Sequence, residues 1–448
     1  MRIALLFGLL AWSAAAAPPT GPILVSANHH FLQYADGAPF FWQGDTGWLL
    51  FGKLDRAETE KYLDDRQRKG FNVIQVMLLH TPRMKTAAGA PALIDGDPGE
   101  PDLTQGSYWD HVDWVLDRAA ERGIWLALVP AWGSLVKQGS LNAKNAEPYA
   151  TFLARRYRSK PNIFWIVGGD IAADEHADVW RLLGKTLKAE DPGHLVTYHP
   201  IGRTQSSTWF HNEPWLDFNM FQSGHQRYDQ DTESPHRYGE DNWRYVRDDY
   251  ARVPPKPVID GEPSYENIPQ GLHDGKQPRW TAADCRRYAY WSVFAGAFGH
   301  TYGDNSIMQF NKNSGGRGSY APINTWVEAL DDPGAAQMQY LKRLMLSRPY
   351  FDRVPDQTLV AGENGTRYDY VAATRGKSYA FAYTYTGKTF RIRLGVLSGP
   401  KVRASWYNPR DGSESAIGTF ANEGVREFVP PGKPEPGNDW VLVLDSAE

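Results

Sequence analysis

The sequence predicts an α/β fold, a (β/α)8 TIM barrel followed by a small antiparallel β-sandwich. Three observations carry that expectation. Apolar runs alternate with helical patterns eight times between residues 40 and 302, which implies parallel strand pairing. The apolar runs end in Asp, His, Trp, Gln or Glu rather than in more core residues, as expected where strand ends build the mouth of a barrel. From about Pro349 the texture changes to short alternating strands punctuated by turns, the mark of a sandwich. An open doubly wound sheet is the competing arrangement. It is disfavoured because no glycine-rich phosphate fingerprint follows the first strand.

Each element has its own signal. Arg2, the apolar run 3–12 and Ala15-Ala16-Ala17 read as a signal peptide over residues 1–17, so the mature protein is expected to be exported, periplasmic or secreted. Asp36-Gly37 marks a hairpin turn. A first barrel strand over 40–45 runs into Gly44-Asp45-Thr46, and Asp55 with Glu58 forms a capping box opening a helix that stops at Gly70. The second strand, 72–79, ends at His80, and a polar loop covers 81–106. Ser107 caps a helix with Val112, Val115, Leu116 and Ala119 at helical spacing. Strand three, 124–130, ends at Trp132; strand four, 163–168, ends at Gly168-Gly169-Asp170; strand five, 195–199, ends at His199-Pro200. Strand six, 216–221, ends at Gln222 and His225, and strand seven, 256–261, delivers Glu262 where the chain breaks into Pro263 and Ser264. Helices are expected over 147–158, 175–189 and 242–250, and from Thr281, capped with Asp284. Strand eight is expected over 297–302, and a helix holding Tyr340, Leu344 and Met345 closes the barrel domain, 18–348. The sandwich, 349–448, is expected to place strands at 368–374, 378–384, 389–394, 402–407 and 440–444.

Composition narrows the function. With 42% hydrophobic and 22% charged residues the chain can bury a large core, and a net charge of −4 argues against nucleic acid or an anionic membrane as partner. After the leader no segment is long and apolar enough to span a bilayer. Cys285 is the single cysteine and falls in a helical pattern, which makes it a structural thiol; no clustered Cys/His set suggests a metal or other cofactor. Aromatic content is 13%, with 17 Trp. Some of these fill the core, but flat aromatic faces also suit the apolar C–H faces of sugar rings.

The strand-end residues share one face of a barrel. They comprise Asp45, Trp48, His80, Trp132, Asp170, His199, Gln222, His225, Glu262, Tyr265, Tyr302 and Asn305. This mixture of donors, acceptors and stacking faces suits a neutral polyhydroxylated ligand, and it lacks the glycine loops of a phosphate site. Asp170 and Glu262 stand out because each ends an apolar strand directly, and closure sets strand four across from strand seven. Cleaving a glycosidic bond needs such a pair, one carboxyl protonated and one ionised. The alternative for each is an acid that caps a loop or pairs with a base. Asp45 reads as an acceptor for a substrate hydroxyl, with a loop cap as the alternative. His80, His199 and His225 read as hydroxyl donors or orienting groups rather than metal ligands.

Several segments also carry a family resemblance. Residues 28–48, the run Lys69-Gly-Phe-Asn-Val-Ile-Gln-Val76, Trp165-Ile-Val-Gly-Gly-Asp170 and Asp260-Gly-Glu-Pro-Ser-Tyr265 resemble the apiosidase-like bacterial glycoside hydrolases, glycoside hydrolase family 140. Ser405-Trp-Tyr-Asn-Pro-Arg-Asp-Gly412 resembles the collagen-binding-type module at the C-terminus of those proteins. The resemblance spans nearly the whole mature chain. It implies a barrel plus sandwich, Asp170 as acid/base, Glu262 as nucleophile, and removal of apiose from pectin side chains. Broader retaining barrel glycosidases carry Asn-Glu at strand four where this chain has Gly169-Asp170, which leaves retention to be set by the separation of the carboxyls. A collagen-binding role does not follow from strands and turns, and a sandwich packed rigidly on the barrel is the plainer expectation. The competing readings are another exo-furanosidase or exo-pyranosidase of this barrel type, a carbohydrate-binding protein with a degenerate site, and an adhesin acting through the sandwich.

Overall fold

The structure, a computed structural model, describes residues 21–174, 176–231, 237–313, 315 and 317–448. The expected signal peptide lies outside the described residues.

Eight parallel strands form the barrel: β1 (Trp42–Thr46), β2 (Val73–Met77), β3 (Trp125–Val129), β4 (Ile163–Ile171), β5 (Val196–Pro200), β6 (Asn219–Gln222), β7 (Val258–Asp260) and β8 (Gly299–Tyr302). Continuous ladders join β8, β1, β2, β3, β4 and β5 in that order, and a separate ladder joins β6 to β7. Two seams complete the ring. The Asp217 amide donates to Val196 O at 2.8 Å between β5 and β6, and the Phe298 amide donates to Val258 O at 3.1 Å between β7 and β8. β1, β2 and β3 are buried along their whole length, as parallel strands covered on both faces must be. The barrel floor is aromatic: Trp42 packs on Phe164 at 4.9 Å between ring centroids, and Phe218 on Phe298 at 5.5 Å.

The helices include α1 (Arg56–Arg68), α2 (Tyr108–Glu121), α3 (Ala146–Tyr157), α4 (Ala177–Glu190), α5 (Asn242–Tyr250), α6 (Ala282–Phe294) and α7 (Pro333–Leu346). The Asp55–Glu58 and Thr281–Asp284 capping boxes form as expected. Ser107 precedes α2 but makes no side-chain cap hydrogen bond; instead Gly106 N–H, just before the cap, donates to Asp110 at 2.8 Å and ties the preceding turn to the first helical turn. The N-terminal hairpin gains a third strand, pairing 23–25, 32–34 and 39–40 in order.

The C-terminal domain contains β9 (Val354–Pro355), β10 (Ala372–Arg375), β11 (Tyr379–Thr384), β12 (Phe390–Arg393), β13 (Lys401–Tyr407), β14 (Glu414–Ala421), β15 (Val425–Phe428) and β16 (Trp440–Ala447). The main sheet runs β9-β10-β11-β16-β13-β14, all antiparallel, and β12 with β15 makes a covering ribbon. β14 and β15 escape a sequence reading because their side chains are mostly exposed or half-exposed, without a clean apolar alternation.

Period-two alternation divides the sheet between two cores. Tyr379, Phe381, Tyr383, Val441 and Val443 join the barrel's apolar core, while Ala380, Ala382, Leu442 and Leu444 face the ribbon. α6 lies between barrel and sheet and is buried on all sides from Cys285 to Phe294, and its two buried arginines are paired with acids, Arg286 with Asp439 and Arg287 with Glu240. Cys285 is a buried thiol whose pKa burial pushes well up, in keeping with a packing role. Tyr290 stacks on Tyr383 at 4.7 Å, and Arg286 makes two 2.8 Å hydrogen bonds to Asp439. The sandwich is thus packed against the barrel wall through an aromatic face that also encloses the Arg286–Asp439 ion pair.

Candidate active site

The end of β4 is built by two glycines. Gly168 and Gly169 have φ of 90° and 135°, and Asp170 follows at 49°. A Cβ on Gly168 would lie 2.7 Å from His199 O, and one on Gly169 would lie 2.5 Å from the Trp132 ring. The chain can therefore pass between Trp132 and β5 only without side chains. The β4–β5 register breaks between Gly168 and Ile171, a bulge that swings Asp170 out of the ladder and into the cleft. Asp170 pays for its position with a left-handed backbone, the kind of strain that clusters at functional sites.

The end of β7 is built by clasps. Gly261 donates its amide to Phe221 O at 2.8 Å, and its carbonyl accepts from Gln75 Nε2 at 2.6 Å. Asp260, fully buried, accepts from Ser223 Oγ at 2.7 Å and Asn242 Nδ2 at 3.1 Å. These contacts tie the 223–225 segment to β7 and so fix His225 against Glu262.

Glu262 is buried, and both its oxygens face imidazoles. The backbone N–H of Tyr265 donates to His225 Nδ1 at 3.4 Å, so that nitrogen carries no proton, and Nε2–H donates to Glu262 Oε1 at 3.0 Å. His199 Nε2 lies 3.1 Å from Glu262 Oε2, but at an angle outside hydrogen-bonding geometry; the contact is electrostatic and leaves that oxygen without a hydrogen bond. His199 Nδ1 lies 3.3 Å from the Asp170 amide and 3.1 Å from Pro200 O. The Tyr265 hydroxyl, which accepts from Trp48 Nε1 at 3.1 Å, is kept neutral by burial and by the Glu262 charge.

These surroundings push the two carboxyls apart. Burial alone would raise the Glu262 pKa, but His199 and His225 outweigh it and hold the group down at about 2. Asp170 opens to solvent in the cleft yet is flanked by protein, and that partial desolvation, followed by the Glu262 charge, lifts it to about 6. One acid is therefore held ionised and the other is readily protonated.

Asp170 and Glu262 face a cavity of about 350 Å³. Trp48, His80, Trp132, Gln222, His225 and Tyr265 line it, as the sequence suggested, and His199 sits behind Glu262. Besides His199, three expected residues do not line it. Asp45 is fully buried behind the cavity, accepting from Tyr62 Oη at 2.6 Å and Arg66 Nε at 2.5 Å; it is a core ion pair, not a hydroxyl acceptor. Tyr302 points away and donates to Glu266 at 2.6 Å. Asn305 is buried and donates to Tyr320 O at 2.9 Å, supporting the loop rather than the ligand. Arg203, Tyr320 and Gln309 also line the cavity. They sit on the long connections after β5 and β8, where periodicity gives no signal. Of the described tryptophans, Trp48 and Trp132 line the cavity; Trp42, Trp109, Trp165, Trp180, Trp215, Trp280 and Trp291 fill the core.

Residues 26–352, which hold this whole site, match the family model "Apiosidase-like, catalytic domain". The chain belongs to the apiosidase-like family. Residues 354–445 match a second model, "Putative collagen-binding domain of a collagenase". Among solved structures, one described as "Glycoside hydrolase" is 47% identical, with a TM-score of 0.92 over 95% of this chain and 97% of its own. A structure described as a glycoside hydrolase family 5 from Bacteroides vulgatus ATCC 8482 is 46% identical, with a TM-score of 0.91 over 95% and 93%. The endo-beta-1,4-mannanase from Thermotoga petrophila shares the fold alone, at 15% identity and a TM-score of 0.50 over 92% of each chain. No curated protein matches the chain.

Proposed function

We propose that this apiosidase-like protein is an exported, retaining glycoside hydrolase that removes a terminal sugar from plant cell-wall or pectin-derived glycans, with apiose the first candidate. The observation that carries the reading is the carboxylate pair in one cavity: Glu262 is held ionised by two histidines and Asp170 is raised toward neutrality. In the first step the Glu262 carboxylate attacks the anomeric carbon while the Asp170 carboxyl gives its proton to the glycosidic oxygen. The carbon–oxygen bond to the leaving group breaks and a glycosyl ester to Glu262 forms. In the second step Asp170, now ionised, takes a proton from water, which attacks the same carbon and frees Glu262.

His225 and His199 stabilise the carboxylate before attack and the departing carboxylate after it. Trp48 and Trp132, with ring centroids 5.3 Å apart, offer an aromatic wall for the sugar's apolar face. The family match and the small cavity support removal of single terminal residues from a neutral glycan. The test is a screen of the full chain against apiosides and plant cell-wall oligosaccharides, with the released sugar identified and its anomeric configuration followed by NMR. A single released sugar with retained configuration is expected. Release of internal fragments, or inversion, would refute the exo-acting or the retaining part of the reading.

A further inference from the structure

A second hollow of about 380 Å³ adjoins the catalytic cavity and is lined by Leu272, His273, Gly275, Ser319, Tyr320 and Ala321. Leu272, Ser319 and Tyr320 line both spaces. Tyr320 is therefore the partition between them: half-buried, it lies close enough to both carboxylates for their charges to raise its pKa after burial has done so.

The partition is held in a strained shape. Tyr320 and Ala321 are consecutive non-glycine residues in the left-handed region, at φ 58° and 45°, and Leu272 opposite them is at 73°. Such a run costs free energy and persists only where the surroundings over-determine it. Here they do. Gln309 accepts from the Ser319 amide at 2.7 Å and donates to the Ser319 carbonyl at 2.8 Å. Asn305 donates to Tyr320 O at 2.9 Å, and Arg279 donates to Ala321 O at 2.7 Å. Three successive residues are clamped by three separate side chains, and the Tyr320 side chain they present makes no hydrogen bond in the fold among the described residues.

We propose that the outer hollow is an aglycone subsite, and that Tyr320 with His273 forms the aromatic surface on which the neighbouring sugar ring of the substrate rests while the terminal sugar occupies the catalytic cavity. The two rings lie 5.9 Å apart between centroids and are tilted 54° to each other, and exposed His273 lines the outer hollow but not the catalytic cavity. Among its described lining residues the hollow contains no carboxylate and no Lys or Arg, which fits a neutral pyranose or furanose ring rather than a charged group. The proposal rests on the glycosidase reading for the identity of the ligand, and it deepens that reading by giving the enzyme preference for a glycosylated over a simple leaving group.

The test measures binding apart from turnover. The full chain carrying Glu262→Gln is titrated with cell-wall oligosaccharides of two to four sugars and with the corresponding monosaccharides, alone and with Tyr320→Ala, Tyr320→Phe or His273→Ala added. The ratio of oligosaccharide to monosaccharide affinity is expected to fall about tenfold with Tyr320→Ala and several-fold with His273→Ala, and to survive in Tyr320→Phe, which keeps the ring. An unchanged ratio in both alanine variants, equal loss in Tyr320→Phe, or no binding of any oligosaccharide by the parent would overturn the subsite. Hydrolysis of the same oligosaccharides by the unaltered enzyme is scored separately. Ring-dependent binding without hydrolysis would refute the glycosidase reading and leave the subsite standing; hydrolysis with an unchanged ratio would do the reverse.

Discussion

The two strand ends that carry the carboxylates are built in opposite ways. At β4 the chain gives up side chains: two glycines at positive φ thread Asp170 past the Trp132 ring into open cleft. At β7 it adds partners: Gln75, Ser223 and Asn242 fix the backbone and neighbouring Asp260, and two imidazoles face Glu262. The first construction leaves a carboxyl with few favourable contacts for its charge, and its pKa rises. The second sets two imidazoles against a carboxyl, and its pKa falls despite burial. The proposed proton donor and the proposed nucleophile are distinguished by what each lacks or has around it, not by residue type.

Removing either carboxyl should have the largest effect. Glu262→Gln is expected to lower kcat by about 10³-fold or more on every glycoside, because it removes the proposed nucleophile. Asp170→Asn is expected to lower kcat about 10²–10⁴-fold on alkyl glycosides, but much less on substrates whose leaving group needs no proton. Steady-state kinetics on a leaving-group series checks both, and equal losses across the series for the two variants would abolish the distinction between them.

Next in size is Gly169→Ala. The added methyl would stand 2.5 Å from the Trp132 ring at a φ of 135°, so the bulge must move. A loss of about 1–3 kcal/mol in stability is expected, together with a fall in kcat on substrates that need the acid. A variant with normal kinetics would show that Asp170 does not depend on the glycine pair.

His225→Ala should give the smallest change and sharpen the β7 side. Without the Nε2–H donor the Glu262 pKa rises from about 2, and the acid limb of kcat/KM is expected to move up by about one pH unit. In the proposed roles Glu262 works ionised, so activity is expected to fall as pH drops through its pKa, and Asp170 works protonated, so activity is expected to fall as pH rises through about 6. His225→Ala should therefore shift the acid limb and leave the alkaline limb nearly in place.

Much of this architecture is readable from the chain. The eight barrel strands follow from apolar runs with polar stops, and the pairing of Asp170 with Glu262 follows from strand order. Asp45 shows where that reasoning fails. It ends a barrel strand as Asp170 does, but Arg66 on α1 reaches it from the outer layer, and no periodicity reveals which acid meets a buried arginine. Asn305 and Tyr320 show the second limit. One clamps the other across a loop whose shape is set by side-chain hydrogen bonds to backbone, so the residue next to the strand is support and the distant one faces the cavity. The role of Gly168-Gly169 is legible only once Trp132 and Tyr198 are seen against it. β14 and β15 lack a buried alternation and so lack a signal.

The central claim is that the fold separates the two carboxyls by protonation. Titration of the side-chain carboxyl carbons of Asp170 and Glu262 by NMR in the full chain tests it directly, with Asp170→Asn and Glu262→Gln used for assignment. The account predicts that the pair titrates in two well-separated steps, Asp170 near pH 6 and Glu262 still ionised below pH 4. Two overlapping titrations near the ordinary carboxylate range, or the reverse order with Glu262 the last to lose its proton, would contradict it.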